Sequence, residues 1–247
     1  MEWEAPAIAL LAHPFGETDL IATLFAEDQG IMRGLVKGGA SRTKSVVFQP
    51  GNILKVRWIG RTADQLGQFT GEIVHPAAAD AMADRVALTI LQSLAAVTAG
   101  ALPERDPYPE LFAALLRLMI RLPEGEALLA DVVRYECALL AALGYGLDLS
   151  ACAVSGVADG LDFVSPRTGR AVSSEAAGEW RDRLLKLPGF LRGGGDGGRM
   201  DWLGGMRLTA HFLGRDVFGA VNRPLPAARQ VLYDLIRSLE SEAPAEN

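Results

Sequence analysis

The chain has 247 residues, of which 49% are apolar and 22% charged, and its formal net charge is −6. This composition is that of an ordinary globular protein, long enough for one large domain or two smaller ones. No run approaches the ~18–20 uninterrupted apolar residues of a membrane span, and the N-terminus has acidic residues where a signal peptide would be basic. We therefore predict a cytoplasmic protein with no membrane partner.

The first 78 residues have the pattern of an all-β domain. Short runs with strand propensity alternate with turn residues, which is typical of a small closed barrel. In the fourth run, period-two alternation places Leu54, Val56 and Trp58 on one face and Lys55 and Arg57 on the other. The predicted strands are PAIALLA, LIATLFA, IMRGLVK, NILKVRWIG and QLGQFTGEIV, with GGASRTK as a glycine-led loop before the fourth.

Residues 79–247 have a helical pattern and are predicted to form a second, mainly α-helical domain. Apolar residues recur at three- and four-residue spacing from residue 80 to 102, and Met82 is counted among them. Residues 145–175 lose this period and form a turn-rich excursion. The predicted helices span residues 80–102, 109–122, 126–143, 174–186, 200–218 and 225–240.

The main functional signal is a basic strip at residues 33–61. It has seven basic residues and no Asp or Glu, whereas the rest of the chain has 17 basic and 30 acidic residues. Protein surfaces usually intersperse both signs, so this run favours a polyanion-binding face over a merely solvated one. We therefore predict DNA contacts from Arg33, Lys37, Arg42, Lys44, Lys55, Arg57 and Arg61.

Three of these cations, Lys37, Arg42 and Lys44, flank a glycine turn whose backbone amides are also candidates for phosphate contacts. Phosphate contacts hold a strand without reading its sequence, so we expect little sequence preference and a steep loss of affinity with rising salt. Trp58 has two open roles, stacking on bases or packing in the core. Its alternation with Leu54 favours the core, while Trp3 stays undecided.

No catalytic constellation is found, and we predict that the chain is not an enzyme and uses no cofactor. The sequence GGASRTKS nearly matches a phosphate-binding loop, but Thr43 stands where that motif has its second glycine. His13, His75 and His211 are dispersed and match no nucleophile–base or metal-ligand spacing.

Two groups of motifs resemble the RecO family of bacterial recombination mediators. The first is FGETDLIATLFAEDQG, GLVKGG and KSVVFQPG, in that order, and the second is RYECALLAALGYGLDLSACAVSG. The resemblance implies an N-terminal OB-fold, a helical domain, and non-catalytic binding and annealing of single- and double-stranded DNA. It also implies three protein partners: RecR, the acidic C-terminal tail of single-strand DNA-binding protein and, indirectly, RecA recombinase, which the family helps to load.

One departure from the family concerns zinc. Many members have a four-cysteine zinc site in the excursion, which begins with a Cys-x-x-Cys pair. In this chain Cys152 is present, but Ser155 stands at the position of its partner in the pair, and Cys137 is the only other cysteine. Because a closed structural zinc site needs four good ligands, we predict a degenerate zinc-finger-like excursion that binds no metal and is held by packing.

The predicted helical domain has three arginines among apolar residues on adjacent helices: Arg117, Arg121 and Arg134. An apolar groove with a basic rim would accept an acidic peptide ending in an aromatic residue, as the resemblance implies for the tail of single-strand DNA-binding protein. The alternative is that these side chains only snorkel from a helix surface. A further basic set, a candidate extension of the DNA path, consists of Arg207, Arg215 and Arg223.

A function from a different class stays open at this point. The chain would then be a protein–protein adaptor whose basic strip binds an acidic partner rather than DNA. Titration of a single-stranded oligonucleotide at two salt concentrations separates the two functions, because only a DNA-binding strip gives salt-dependent binding.

Overall fold

The computed structural model describes residues 1–62 and 66–239. The chain divides into two compact units, one ending at Glu126 and one beginning at Ala127. The change from strands to helices near residue 78 lies inside the first unit, so the predicted domains 1–78 and 79–247 stay a prediction. No helix within the described ranges is long and apolar enough to cross a membrane.

The first unit begins with five strands: β1 (Glu2–Phe15), β2 (Asp19–Ala26), β3 (Gly30–Val36), β4 (Ile53–Ile59) and β5 (Gly67–His75). They close into a barrel in the order β1-β2-β3-β5-β4. Neighbouring strands are antiparallel except β3 and β5, which form a short parallel pair. The five predicted strands are all present, and the prediction of a strand-rich N-terminal part followed by a helical region is confirmed.

Alternate residues of the strands fill the barrel interior. In β4, Leu54, Val56 and Trp58 are buried while Lys55 and Arg57 are exposed, as the period-two pattern predicts. Trp58 is only 2% exposed and belongs to the hydrophobic core. The preference for a core role over base stacking is therefore confirmed for this residue.

Two glycines leave the space that the core aromatic rings occupy. Gly34 of β3 is paired with Gly67 of β5. A Cβ atom on Gly67 would lie 2.1 Å from Cε2 of Trp58, and one on Gly34 would lie 2.6 Å from Cδ2 of Phe69. Since interiors are close-packed, a side chain at either position would displace a ring, and the parallel contact depends on both glycines.

The connection from β3 to β4 contains a short helix, α1 (Arg42–Val47), where the sequence predicts only a loop. None of its six residues is buried, so it has no apolar period by which a helix is recognised. The next residue, Phe48, is buried in the barrel core and attaches the end of α1 to the barrel.

Three helices complete the first unit: α2 (Ala77–Ala81), α3 (Arg85–Ala101) and α4 (Pro109–Ile120). The single helix predicted for residues 80–102 is in fact two, because the Asp84 carboxylate accepts a backbone N–H at 2.9 Å and begins a new helix. Met82, which the prediction counted among the apolar positions, lies in the break and is 61% exposed. Helix α3 packs on β1 and β2, so helices as well as strands build this unit.

Over its described residues, the second unit has four α-helices and a small sheet. The helices are α5 (Leu129–Ala142), α6 (Ser174–Ala177), α7 (Arg199–Phe212) and α8 (Ala227–Ser238). The strands are β6 (Leu161–Val164), β7 (Ala171–Ser173) and β8 (Leu185–Lys186), in the order β7-β6-β8. A 3₁₀ segment, Gly178–Arg183, precedes β8, and a π-helical turn, Leu213–Phe218, continues α7.

The helix predicted for residues 174–186 is wrong beyond its first turn. Ser173 caps α6 by accepting the N–H of Ala176 at 3.2 Å. Gly178 then adopts a φ of +46°, a left-handed value that a helix cannot contain, and the chain continues as the 3₁₀ segment and β8. Of the helix predicted for residues 225–240, the last residue lies outside the described part of the chain.

Candidate nucleic-acid interface

The two cations on the outer face of β4 lie beside acidic residues of the neighbouring strands. Arg57 is opposite Glu4 of β1, and Lys55 is opposite Glu72 of β5. Side chains directly opposite each other on antiparallel strands share a face of the sheet. Nε of Arg57 also donates to Glu2 Oε1 at 2.6 Å. Three carboxylates therefore offset these two positive charges, and this face is not a basic surface.

Two other cations of the basic strip lie outside β4. Arg33 is exposed on β3, and its Nη1 is 3.7 Å from Oε1 of Glu104. Arg61 is exposed just after β4. The structure therefore spreads the strip over several parts of the barrel surface rather than gathering all seven cations.

The turn between β3 and α1 holds the three remaining cations. Lys37, Arg42 and Lys44 are all exposed, and Nζ of Lys44 donates to the carbonyl oxygen of Lys37 at 2.8 Å, which closes the turn. Gly38 in this turn has a φ of +64°, which glycine adopts at little cost. Within the described residues, these three cations form no ion pair within 4.0 Å, and neither do Lys55 and Arg61. The turn is therefore the part of the strip where three unpaired cations lie within eight residues.

The backbone amides of this turn already have partners inside the protein. The N–H of Gly38 donates to Asp19 Oδ1 at 2.7 Å, and the N–H of Ala40 donates to the carbonyl oxygen of Thr18 at 2.9 Å. The amide of Gly39 donates to the carbonyl oxygen of Val36 at the end of β3, and the amide of Ser41 donates to that of Gly38. The suggestion that these four amides approach phosphates is therefore not supported.

The aromatic residues of the barrel pack on one another. The rings of Trp3 and Trp58 are stacked, with centroids 6.1 Å apart and planes 11° apart. Phe69 meets Trp3 edge-on at 6.2 Å. Trp3 is half-buried and Phe69 is buried, so within this cluster only Trp3 has a partly accessible ring.

The three predicted partner-binding arginines belong to different units and have different surroundings. Arg117 is exposed on α4 and forms no ion pair in the described ranges, whereas Arg121 pairs with both carboxylate oxygens of Glu124, at 2.8 and 2.7 Å. These two lie in the first unit and Arg134 lies in the second. A groove formed by all three therefore stays a prediction.

Arg134 is held by contacts within the second unit. Its Nη1 donates to Asp131 at 2.7 Å and to Asp196 at 3.0 Å, and its Nη2 donates to the carbonyl oxygen of Gly195 at 2.7 Å. Its guanidinium also lies 5.4 Å from the centroid of Phe190. Partial burial lowers the pKa of Arg134, but the hydrogen bonds that it donates to Asp131 and Asp196 outweigh burial and raise the pKa, so the side chain stays charged.

The further basic set near the C-terminus is partly occupied as well. Nε of Arg207 donates to the hydroxyl of Tyr233 at 2.6 Å, and Arg215 pairs with Asp216 at 2.6 Å. Arg223 is exposed. Two of the three side chains thus have partners within the unit, and a DNA path along all three stays a prediction.

The turn-rich excursion is organised around the sulfur of Cys152. This side chain is buried, and its Sγ accepts the backbone N–H of Ser155 at 3.5 Å and that of Ser173 at 3.3 Å. Burial raises the pKa of the thiol, but these hydrogen bonds outweigh it and lower the pKa to about 6. In the described part of the chain, no three His, Cys, Asp or Glu side chains form a group that could hold a metal ion.

The residues that the sequence analysis missed are the acidic ones that decide which cations are free. Glu2 and Glu4 lie far from the basic strip in sequence but beside it in the barrel. Their period-two spacing on the first strand indicates a common outer face, and this is the signal that would have found them. Glu104 gives no comparable signal, because it lies in an irregular connection.

Comparisons with known proteins agree along most of the chain. The family model described as Recombination protein O N terminal matches residues 1–77, and that described as Recombination protein O C terminal matches residues 82–222. The chain is 53% identical to the DNA repair protein RecO of Granulibacter bethesdensis over 242 residues, which cover 97% of each chain. It is 50% identical to the proteins of the same name from Gluconacetobacter diazotrophicus and Acidiphilium cryptum, over 98% of each chain. On these matches, which span both units, the chain belongs to the RecO family.

Proposed function

We propose that this chain is a non-catalytic DNA-binding mediator of homologous recombination and DNA repair, which binds single-stranded DNA and anneals complementary strands. Its relatives are named DNA repair proteins, which supports the role in repair. The five-stranded closed barrel, with a helix between β3 and β4, supports its assignment as an OB-fold. OB-folds commonly bind oligonucleotides.

The observation that carries this proposal is the uncompensated charge of the turn between β3 and α1. Lys37, Arg42 and Lys44 present three positive charges within eight residues, and no carboxylate of the described residues pairs with them. Exposed charges further away than about 8–10 Å are largely screened at physiological salt. The carboxylate of Asp19, which accepts the N–H of Gly38, lies within this distance, but the three cations outnumber it. A strand at this turn therefore meets a positive local field although the whole chain is acidic.

Charge neutralisation is the mechanism that this geometry supports. Two DNA strands repel each other through their phosphates, and cations that neutralise one strand lower the barrier to pairing. Lys and Arg side chains on a turn contact the phosphates and leave the base edges free to pair, so annealing needs no covalent chemistry and no sequence preference. The binding free energy then comes largely from counterion release and falls as salt rises.

The proposed protein partners are RecR, the acidic C-terminal tail of single-strand DNA-binding protein and, indirectly, RecA, which the complex would help to load. For the acidic tail, the candidate contact in the first unit is Arg117, which is free of ion pairs in the described residues. Arg121 of that unit is a weaker candidate because its Nε and Nη2 already donate to Glu124. In the second unit the candidate is Arg134, where the tail would have to compete with the exposed carboxylate of Asp196.

Strand annealing between two labelled complementary oligonucleotides tests the mechanism. Replacing Lys37, Arg42 and Lys44 together by Glu is expected to abolish protein-dependent annealing, with an unchanged circular dichroism spectrum because none of the three is buried. Annealing by this variant at the wild-type rate would contradict the proposal. Absence of any salt-dependent DNA binding by the wild-type protein would instead favour the adaptor function.

A matched control removes the same number of cations from the rest of the strip. The variant with Lys37, Arg42 and Lys44 all changed to Gln is compared with the variant in which Arg33, Lys55 and Arg57 are changed to Gln. We expect the first to lose more annealing activity, because Arg33 and Arg57 of the second set already pair with carboxylates and Lys55 lies opposite Glu72. Equal losses would mean that the turn has no special role.

A further inference from the structure

The second unit has an exposed tryptophan whose surroundings differ from those of the other large apolar side chains on the surface. Trp180 is 55% exposed and lies in the 3₁₀ segment Gly178–Arg183. Residues i and i+3 of a 3₁₀ helix lie directly above one another. The guanidinium of Arg183 accordingly lies 5.0 Å from the ring centroid of Trp180.

A second arginine–aromatic pair involves Arg181, the residue that follows Trp180 in the 3₁₀ segment. The guanidinium of Arg181 is 5.4 Å from the ring centroid of Phe163 on β6. Phe163 is paired with Lys186 of β8, so the two side chains share a face of the sheet. We call these five residues, Phe163, Trp180, Arg181, Arg183 and Lys186, the Trp180 platform.

The cations of the Trp180 platform are free of ion pairs within the described part of the chain, in contrast to Arg134 and Arg215 of the same unit. Glu179 and Asp182 are also exposed in the segment, but neither lies within 4.0 Å of a charged nitrogen of the platform. These acids reduce the net charge of the surface and limit its contribution to affinity. A guanidinium stacked on a ring still presents its N–H donors at its edge, where a phosphate or a base edge is reached.

We propose that the Trp180 platform is a contact site for single-stranded nucleic acid, at which a base stacks on Trp180 while Arg183 and Lys186 neutralise adjacent phosphates. Exposed aromatic rings interleaved with cations suit a ligand that has both π-faces and negative charge, and single-stranded nucleic acid has both. A duplex does not fit in this way, because its bases are already stacked. The inference rests on the proposed function and adds a second, base-stacking contact to the phosphate contacts of the barrel turn.

Fluorescence anisotropy with the full-length chain tests this contact. A labelled oligo(dT) and a duplex of equal length are titrated against the wild type, Trp180→Ala and Trp180→Phe. Loss of one stacking contact at an exposed site is expected to weaken oligo(dT) binding about five- to tenfold, at the lower end of the range for base–aromatic stacking. Duplex binding should change by less than about twofold, and Trp180→Phe should retain most of the affinity, because phenylalanine keeps a ring on which a base stacks.

Tyr145 provides the matched control. It is an exposed aromatic residue of the same unit, 44% exposed, and has no arginine over its ring in the described residues. Tyr145→Ala is expected to bind oligo(dT) like the wild type. Equal losses for Tyr145→Ala and Trp180→Ala would overturn the inference, because they would show a general effect of aromatic residues on the surface.

One further outcome would also overturn the inference, namely oligo(dT) binding by Trp180→Ala within twofold of the wild type. If this variant also loses binding to a labelled Asp-rich peptide ending in phenylalanine, the platform is a peptide site instead. This outcome does not affect the proposed function, which fails only if the wild type binds no DNA or if the variant with Lys37, Arg42 and Lys44 changed to Glu anneals normally.

Discussion

Arg229 of α8 and Glu136 of α5 form a buried ion pair in the second unit. Nε and Nη2 of Arg229 donate to the two carboxylate oxygens of Glu136 at 2.7 and 2.8 Å, and the side chains are 3% and 1% exposed. Nη2 also donates to the hydroxyl of Thr209 at 2.9 Å and to the carbonyl oxygen of Met206 at 2.7 Å, both on α7. One guanidinium thus joins three helices.

Removal of the arginine alone should destabilise this unit strongly. Arg229→Met leaves the Glu136 carboxylate buried without its partner, which is expected to cost about 3–5 kcal/mol of unfolding free energy. A shift of the urea midpoint, followed by circular dichroism, measures the loss. Arg237→Met, which removes an exposed arginine from the same helix, should change the midpoint little.

The double variant Arg229→Met with Glu136→Leu tests whether the loss of stability in Arg229→Met comes from the unpaired carboxylate of Glu136. With both charges removed, no uncompensated charge stays buried, so the double variant should be more stable than Arg229→Met alone. If the two variants unfold at the same urea concentration, the cost arises from lost packing or lost hydrogen bonds rather than from the orphaned carboxylate.

The sequence could not have revealed this pair, because its members are 93 residues apart and neither has a local pattern that marks it. The same limit explains the basic strip. Residues 33–61 contain no acid, but Glu4 and Glu72 lie beside the strip through pairing of β4 with β1 and β5. Local patterns, by contrast, predicted the five strands and the buried face of β4, because period-two alternation is a property of the strand itself.

Helices were predicted less well where a single residue decides their length. Gly178 ends α6 after one turn through its positive φ, and Asp84 begins α3 in the middle of a continuous apolar period. An apolar period indicates that a helix exists, but caps and left-handed residues set where it ends. The arginine–aromatic contacts of the Trp180 platform depend on such an ending, since the 3₁₀ segment begins where α6 stops.

Gly67 should be intolerant of even a methyl group. Because a Cβ at this position would lie 2.1 Å from Cε2 of the buried Trp58, Gly67→Ala must displace the indole ring, at an expected cost of about 1–3 kcal/mol. Gly71 of the same strand is the control, since its nearest contact would be at 3.2 Å, and Gly71→Ala should cost less. Thermal unfolding of the two variants gives the comparison, and equal midpoints would contradict the packing argument.

The pKa values of the Cys152 and Cys137 thiols should be shifted in opposite directions from the value of a free thiol. The Cys152 thiol has its pKa lowered to about 6, whereas burial, followed by the charge of Glu136, raises the pKa of Cys137 to about 12. Ultraviolet thiolate absorbance of the folded wild type should therefore show one thiolate forming near pH 6. Cys152→Ala should show none below about pH 8, and Cys137→Ala should titrate like the wild type.

The lowered pKa of Cys152 also predicts how stability depends on pH. Between the folded pKa of about 6 and the unfolded value of 9.0, the unfolded state binds the extra proton, so stability rises with pH across this window. The contribution is lost as the pH falls through about 6. The stability difference between the wild type and Cys152→Ala should therefore grow between pH 6 and pH 8, and a constant difference would contradict the hydrogen-bonded thiolate.

Asp196 is expected to compete with an acidic partner for Arg134. Its side chain is 74% exposed and contacts Arg134 at 3.0 Å, so Asp196→Asn frees a donor at a small cost. Exposed ion pairs are worth roughly 0.2–1 kcal/mol, so affinity for a labelled Asp-rich peptide ending in phenylalanine should rise by up to about fivefold. Asp182→Asn is the control for the change in net charge. If Arg134→Gln binds the peptide as well as the wild type, Arg134 is not the contact.

The slope of DNA affinity against salt concentration should depend on how many cations contact phosphate. Each phosphate contact with single-stranded DNA contributes about −0.7 to the slope of log affinity against log salt, so removal of three should flatten the slope by roughly two. We expect this for Lys37, Arg42 and Lys44 changed together to Gln, whose charges no carboxylate of the described residues offsets. The same change at Arg33, Lys55 and Arg57 should flatten the slope by less than about one, because Arg33 and Arg57 already pair with carboxylates and release fewer counterions on binding. Lys55 forms no ion pair in the described residues, but it lies opposite Glu72. Equal slopes for the two triple variants would show that proximity of carboxylates does not decide which cations contact DNA.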